Sequence, residues 1–527
     1  MSNYTLFSNL SETMKESVLS AVQQVTACST SKVFILWDEM LLTLVNPPKR
    51  ILKEFTYMTK SMGVDNRGRR KSLRTKEECF EASLENGILV VRTLHGFWYK
   101  AMYWCMENRL TFELRDLRVK DMLPPPRFDL MCNFRFRQRE LLEKALLKNC
   151  SGLIGAPTRY GKSTLMRNIL RAWPTTQTIV ILPGADLLRQ CHEELKAEIP
   201  DREIKLIGAG SKTQYQSEDI TVVSMDSLHK VDPGPVKLMV IDEPHAVVAS
   251  SRINYLPLFT NARRYGLGAT LNGRYDGRDF LLEGHVGPVL AKRTYTEGVA
   301  EGAICPIKVM MIRWPIANIS GDRDNAYRTQ LFENELIGRC ARYLSDVVIP
   351  RDWQMLYFIK TESQADFLSD CIGRDVSVAM AKKLSDRERK AMTERVRKNH
   401  IKRVICSDIY VQGVTFHEVM VLVNCGGGGA STSTIQKPGR LAEIRKGKSA
   451  GLMIDFLFTT QNEGMPNCDA EALSPGKMRG MSEGVGCLVR ESYLRLKAYH
   501  DIGYDVDIVE RKNMHDWFLK QNITPPD

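Results

Sequence analysis

The chain has 527 residues, of which 43% are hydrophobic and 26% charged. This is the balance of an ordinary globular protein, and the length exceeds what one hydrophobic core can hold, so roughly three or four domains of about 100–200 residues are expected. A net charge of +12 and a pI of about 9.0 favour a polyanionic partner without identifying it.

Thirteen cysteines are scattered singly from Cys28 to Cys487, with no Cys-x-x-Cys pair. Zinc sites and disulfide frameworks depend on close, repeated spacing, so free thiols in a reducing cytosol are expected. Met1-Ser2-Asn3-Tyr4 opens without a basic segment leading into an apolar one, and no apolar run reaches about 18 residues. We therefore expect a cytoplasmic protein that makes no use of a membrane.

In chain order, a short helix is expected from Glu12 to Val25, then strands at Val33–Trp37 and Gly87–Val91. Phe97 to Trp104 reads as an aromatic helix whose rings serve a core rather than a stacking platform, and Leu110–Leu114 alternates as a strand does. Together these predict a small α+β domain over 1–125. Inside it lies a basic segment, Arg67-Gly68-Arg69-Arg70-Lys71 with Arg74 and Lys76, read as a loop that either contacts phosphates or is simply solvated. Pro124-Pro125-Pro126 marks a stiff linker.

Apolar strand-like runs then alternate with helical stretches, the pattern of a parallel α/β sheet. One block covers 126–315, with strands at 152–155, 178–182, 220–223, 238–241 and 265–267. A second covers 316–465, with strands at 355–359, 403–406, 419–423 and 451–454. A tail over 466–527 carries a helical stretch from Ser492 to His500 and an aromatic patch around Trp517.

The first strand of the first block runs into Ala156-Pro157-Thr158-Arg159-Tyr160-Gly161-Lys162-Ser163 and a helix opening at Thr164. A strand ending in a glycine-containing turn just before a helix leaves several backbone N–H groups pointing one way, which cradles phosphate. Lys162 and Ser163 are the types that reach β- and γ-phosphates and Mg²⁺, while Ala156 stands where the strict pattern has glycine. The run Leu238–Ile241 ends in Asp242-Glu243-Pro244-His245. Adjacent carboxylates at the end of a buried strand suit a division of labour in hydrolysis. Asp242 would hold Mg²⁺, and Glu243 would orient and deprotonate the attacking water.

These segments resemble the core of a superfamily 2 helicase or translocase, over about 130–460. Arg135-Phe136-Arg137-Gln138 is similar to the adenine-reading segment, with Gln138 as base reader. Ile181-Leu182-Pro183 with Gln190, and Val223-Ser224-Met225, are similar to the family's nucleic-acid contacts. Gly268-Ala269-Thr270 resembles the coupling motif, which the resemblance links to His245, and it continues into Arg274-Tyr275-Asp276-Gly277, typical of the DNA-acting branch. Tyr357 to Thr361, including Lys360, resembles the fourth motif. Ser407-Asp408-Ile409 with Gly413-Val414-Thr415 resembles the fifth, with Thr415 where an acid is more usual. Gln436-Lys437-Pro438-Gly439-Arg440 resembles the sixth. The family's second arginine is replaced by Glu443, so either Arg440 acts alone as the finger or Arg445 takes over through a shifted turn. Gly426–Gly429 reads as a flexible loop before that motif.

The resemblance implies two tandem RecA-like parallel-sheet domains preceded by the small α+β domain, with ATP and Mg²⁺ as cofactors. Thr158, Gly161, Lys162, Ser163, Thr164, Gln138 and Gly413 would hold nucleotide, Ser163 and Asp242 the metal. Glu243, Gln436, Arg440 and Arg445 would serve catalysis, and Pro183, Gln190, Ser224, Lys360 and Ser407 the nucleic acid. The flanks, Leu84–Arg118 and Arg490–Tyr504, resemble phage UvsW-type and XPB-like DNA helicases. They imply an ATP-driven remodeller of branched DNA (forks, Holliday junctions, displaced loops or R-loops) in replication, recombination and repair, with a monomer favoured. An RNA helicase and a nucleic-acid-binding module with a degenerate ATPase are the alternatives.

Overall fold

A computed structural model describes residues 12–26, 32–38, 41–64, 70–118, 123–208, 219–249, 251–271, 277–316, 323–373, 377–380, 386–407, 418–429, 437–460 and 485–526. The chain divides into two compact units: Met1–Ala156 with Gly161–Arg293, and Pro157–Tyr160 with Thr294–Asp527.

The first unit begins with a five-stranded sheet of β1 (Val33–Trp37), β2 (Leu41–Val45), β5 (Phe80–Glu85), β6 (Ile88–Leu94) and β7 (Phe112–Asp116), ordered β5-β6-β2-β1-β7. β1 and β2 are buried along their whole length because both faces are covered. Helix α1 (Glu12–Thr26) presents Val18, Val22 and Val25, a stripe at helical spacing, to Phe34, Leu36, Leu41 and Val45. Helix α2 (Trp98–Glu107) buries Ala101, Trp104 and Cys105, and Trp98 stacks on Trp37 with ring centroids 4.5 Å apart. Phe97 and Trp104 are thus core, whereas Trp98 and Tyr99 are half-buried and Tyr103 is 57% exposed.

The basic segment expected to be a loop is otherwise. Arg70, Lys71, Arg74 and Lys76 lie on β4 (Arg70–Glu78), which pairs antiparallel with β3 (Thr56–Val64) as a two-stranded ribbon, while Arg67 and Arg69 fall outside the described residues. The density of charge hid this strand from sequence reading.

A seven-stranded sheet follows, all parallel: β8 (Gly152–Gly155), β9 (Thr178–Leu182), β10 (Ile204–Ile207), β11 (Ile220–Ser224), β12 (Leu238–Asp242), β13 (Arg263–Gly268) and β14 (Val289–Lys292), ordered β10-β11-β9-β12-β13-β8-β14. The central strands β9, β11 and β12 read as largely apolar runs because crossover helices cover both faces. Among them are α3 (Gln138–Leu146), α4 (Lys162–Ala172), α5 (Ala185–Glu198) and α6 (Asp279–Val286). The five-stranded sheet and ribbon are fastened to this one through α6. Phe280 packs against Tyr57 and Phe97 at centroid distances of 5.3 and 4.5 Å, and a Cβ at Gly96 would strike the carbonyl of Glu283. Arg264, 1% exposed, donates to the His285 carbonyl (2.6 Å) and lies 3.1 Å from His95 Nε2.

The second unit holds another all-parallel sheet: β15 (Ile307–Ile316), β16 (Gln354–Ile359), β17 (Ser377–Met380), β18 (Arg403–Ser407), β19 (Val419–Asn424), β20 (Gly451–Thr460) and β21 (Asp505–Val509), ordered β17-β18-β16-β19-β20-β15-β21. Two expected boundaries shift. β15 belongs to this second sheet although 307–315 was assigned to the first block, because its ten-residue register with β20 decides its place. Likewise β21, expected in a separate tail, pairs with β15, and the carboxy-terminal helix Val485–Ile502 packs on β20. Among the described residues, no helix is long and apolar enough to cross a membrane.

Candidate active site

In a parallel sheet every strand delivers its following loop to the same edge, so residues scattered through the sequence gather at the carboxyl ends. Within the first unit this collects Ala156 and Gly161–Ser163 after β8, Pro183 after β9, Ser224 at the end of β11, Asp242 and Glu243 at the end of β12, and Ala269 and Thr270 after β13.

The phosphate-type turn carries Thr158 and passes through Gly161 at φ 95°, then α4 starts at Lys162. That left-handed conformation favours glycine, and a Cβ there would also strike the Gln138 amide. Gln138 is fully buried and accepts the Arg135 N–H at 2.9 Å, so its side chain braces the turn. Ala156, the departure from the strict pattern, is buried and donates its N–H to Gly268 at 3.0 Å, tying the turn to the start of the coupling motif. Ser163 is exposed on the first turn of α4, whereas Thr164 is buried and accepts from Arg167 (3.3 Å).

Lys162 and Glu243 form a close ion pair. Glu243 adopts φ 48°, unusual for a residue with a side chain, and its N–H is held by the Leu267 carbonyl at 2.9 Å. His245 Nδ1 lies 3.3 Å from the other Glu243 oxygen. Burial pushes the Asp242 carboxyl up to about 6; Lys162 opposes the rise and Glu243 adds to it. Asp242 and Ser163 line one small pocket with Met166, Arg167 and Gln190. Two oxygen donors facing one space suit a hard divalent cation such as Mg²⁺. Thr270 keeps a buried hydroxyl with no hydrogen-bond partner among the described residues. Gln190 is exposed on α5, engaged with Glu194 at 2.7 Å.

In the second unit Lys360 is exposed just past β16, with Nζ 5.3 Å from the Tyr327 ring centroid, and Ser407 ends β18. Arg440 closes a short 3₁₀ turn, Pro438–Arg440. Arg445 pairs with Glu443 at 3.4 Å. Gln436 and Gly413, with Asp408 and Thr415, fall outside the described residues.

Residues 131–273 match the family model for the res subunit of type III restriction enzymes, and 339–445 match the helicase conserved C-terminal domain. The chain belongs to helicase superfamily 2. As a superfamily 2 helicase it is a nucleic-acid-dependent ATPase.

Its relatives include the DNA 3'-5' translocase XPB2 of Sulfurisphaera tokodaii, 22% identical over 405 residues, 66% of this chain and 90% of the relative. Among solved structures, T4 UvsW is 14% identical and aligns over 91% of this chain and all of its own, at a TM-score of 0.37. The DNA-bound Type ISP restriction-modification enzyme LlaBIII is 12% identical over 73% of this chain and 32% of its own, with a TM-score of 0.52, which shows the shared fold.

One expectation about the helicase is corrected. Gly426–Gly429, read as a flexible loop, is closely packed: Cβ atoms at Gly427 and Gly429 would lie 2.9 Å from Tyr327 and 2.8 Å from Glu491. Glycine is needed there for close approach, which composition does not distinguish from flexibility. Sequence reasoning also missed the buried polar residues Asn424, Asp455 and Arg495. A lone Asp within the apolar run Leu452–Phe458 was the available signal.

Proposed function

We propose that this helicase is an ATP-driven DNA translocase that remodels branched DNA. The observation that carries the reading is the meeting of Lys162, Ser163, Asp242 and Glu243 at one sheet edge, beside the strand ends bearing Pro183, Ser224 and Thr270.

In this reading the N–H groups of the turn before α4, with Lys162, bind the β- and γ-phosphates. Ser163 and Asp242 would hold Mg²⁺, which when bound offsets phosphate charge. Glu243 orients the attacking water and accepts its proton, and His245, with Ala269 and Thr270, couples hydrolysis to the nucleic acid. Arg440 is the arginine finger, stabilising charge that develops on the transferred phosphoryl group. Arg445, ion-paired with Glu443 at 3.4 Å, is the second candidate for that role.

DNA as substrate is supported by the XPB2 relative, by the net charge of +12, and by the basic ribbon, on which Arg74 and Lys76 are exposed. The ribbon would grip duplex phosphates beside the branch, an interaction with little sequence content. The test is steady-state ATPase rate with single strand, blunt duplex, fork, four-way junction, RNA hairpin and R-loop at fixed salt. Strongest stimulation by forked or four-way DNA is expected. Stimulation by RNA alone would make the protein an RNA helicase, and no turnover with any of them would leave a binding module.

A further inference from the structure

The second unit contains a buried polar relay that the hydrolytic assignment does not use. Asp455, on β20 and 0% exposed, accepts five hydrogen bonds: from Arg495 Nε (2.7 Å) and Nη2 (3.0 Å), Tyr499 Oη (2.8 Å), Asn424 Nδ2 (3.2 Å) and the Phe456 N–H (2.7 Å). Asn424, at the end of β19, accepts with its other amide atom from Lys437 Nζ at 3.2 Å. Lys437 is 7% exposed, and its carbonyl receives the Arg440 N–H at 3.1 Å. A continuous line therefore runs from the carboxy-terminal helix across two strands to the turn that bears Arg440. At its far end Arg495 also donates to the Gly428 carbonyl at 2.5 Å, pinning the glycine run.

Stability alone does not explain this construction. Burying two charges costs desolvation that their pairing only about offsets, and apolar residues of similar volume would hold the helix to the sheet as well. What apolar packing cannot do is fix a lysine head group in direction. The relay does this through bidentate Arg495, whose planar fork allows one orientation of the Asp455 carboxylate. A finger guanidinium needs such definition, because a displacement of about 1 Å at a catalytic group costs on the order of a hundredfold in rate.

We propose that Arg495 is a positioning residue for ATP hydrolysis, acting through Asp455, Asn424 and Lys437 on the turn that carries Arg440. The proposal rests on Arg440 as the finger.

The test uses the full chain with saturating nucleic acid, measuring kcat, KM for ATP and Tm. The variants are Arg440→Ala, Arg495→Met with Asp455→Leu, and all three changes together. The paired variant removes both buried charges, so none is left unpartnered. Expected are a Tm within a few degrees of the parent, kcat lower by about tenfold or more, and KM within about twofold. On the Arg440→Ala background the same pair should cause no further fall, since groups acting as a unit are not additive. Parental kcat in the folded paired variant, or a full additional loss on that background, would overturn the proposal. If the paired variant does not fold, Asn424→Ala cuts the line while sparing the Asp455–Arg495 pair, and the same kcat and additivity criteria decide. Parental turnover by Arg440→Ala alone would refute the finger assignment and the proposal with it, an outcome that involves no change at Arg495.

Discussion

The Lys162 ammonium rests on the Glu243 carboxylate, and Glu243 reaches it from a backbone at φ 48°. A left-handed non-glycine residue costs of order 1–3 kcal/mol and persists where its surroundings over-determine it, commonly at reacting groups. Here the Leu267 carbonyl and Lys162 supply that determination. With phosphate bound, Lys162 would exchange Glu243 for the nucleotide and release the carboxylate to the water.

Two substitutions separate these roles. Lys162→Ala is expected to abolish ATP hydrolysis while leaving DNA affinity within about twofold. Glu243→Gln keeps shape but removes the proton acceptor, so kcat should fall by about 10²–10⁴ with nucleotide binding retained. Steady-state ATPase assays beside fluorescent-nucleotide titrations measure both. Normal turnover by Lys162→Ala would sink the site assignment.

Asp242 gives the nucleotide-free protein a pH signature. Its folded carboxyl titrates near 6, raised chiefly by burial from an ordinary value of 3.8. Between those values the folded state binds the extra proton, so this group's contribution to stability declines as pH rises from about 4 to 6. Asp242→Asn should remove that component from a plot of Tm against pH. Mg²⁺-dependent ATP protection should weaken below about pH 6 in the parent, because the ion requires the carboxylate form.

The joint between the amino-terminal sheet and the first helicase sheet has the opposite dependence. Burial, then the neighbouring Arg264 charge, lowers both His95 and His285 from 6.5 to about 3. The unfolded chain takes up protons there first, so stability falls as pH drops from about 6.5 toward 3. A His95→Gln variant should show a shallower loss of Tm on acidification from pH 7 to 4.5. An unchanged slope would mean that His95 does not stay neutral in the folded state.

Gly96 is where that joint tolerates no side chain, since a Cβ would run into the backbone of Glu283 and Gly284. Gly96→Ala should therefore destabilise by about 1–3 kcal/mol, as overpacking does. Thermal melts would report it. An unchanged melting curve would show that the contact can open at little cost.

Much of the fold, and the candidate groups of the site, were legible in the residues themselves. Strand-forming apolar runs at 178–182, 238–241 and 419–423 are buried on both faces and need no distant partner to be recognised. The turn around Gly161 and the Asp242-Glu243 pair are each a short contiguous run, so both stood out as candidates from residue type and order. Continuous hydrophobic strands alternating with helices also dictate a parallel sheet, because crossover helices must cover both faces.

Tertiary structure decided what depends on distant partners. Nothing local says that β15 pairs with β20 and β21, or that the residues of β4 form a ribbon, because strand pairing is settled between segments far apart in sequence. Composition makes Gly426–Gly429 look loose, while Tyr327 and Glu491, about 100 and 60 residues away in sequence, press against it and demand glycine. Asp455 and Arg495 are ordinary charges until the fold removes both from water, where a buried charge persists only with its partner in place. Order and spacing pointed to the helicase family and its candidate groups; burial and long-range pairing decided how those groups are held.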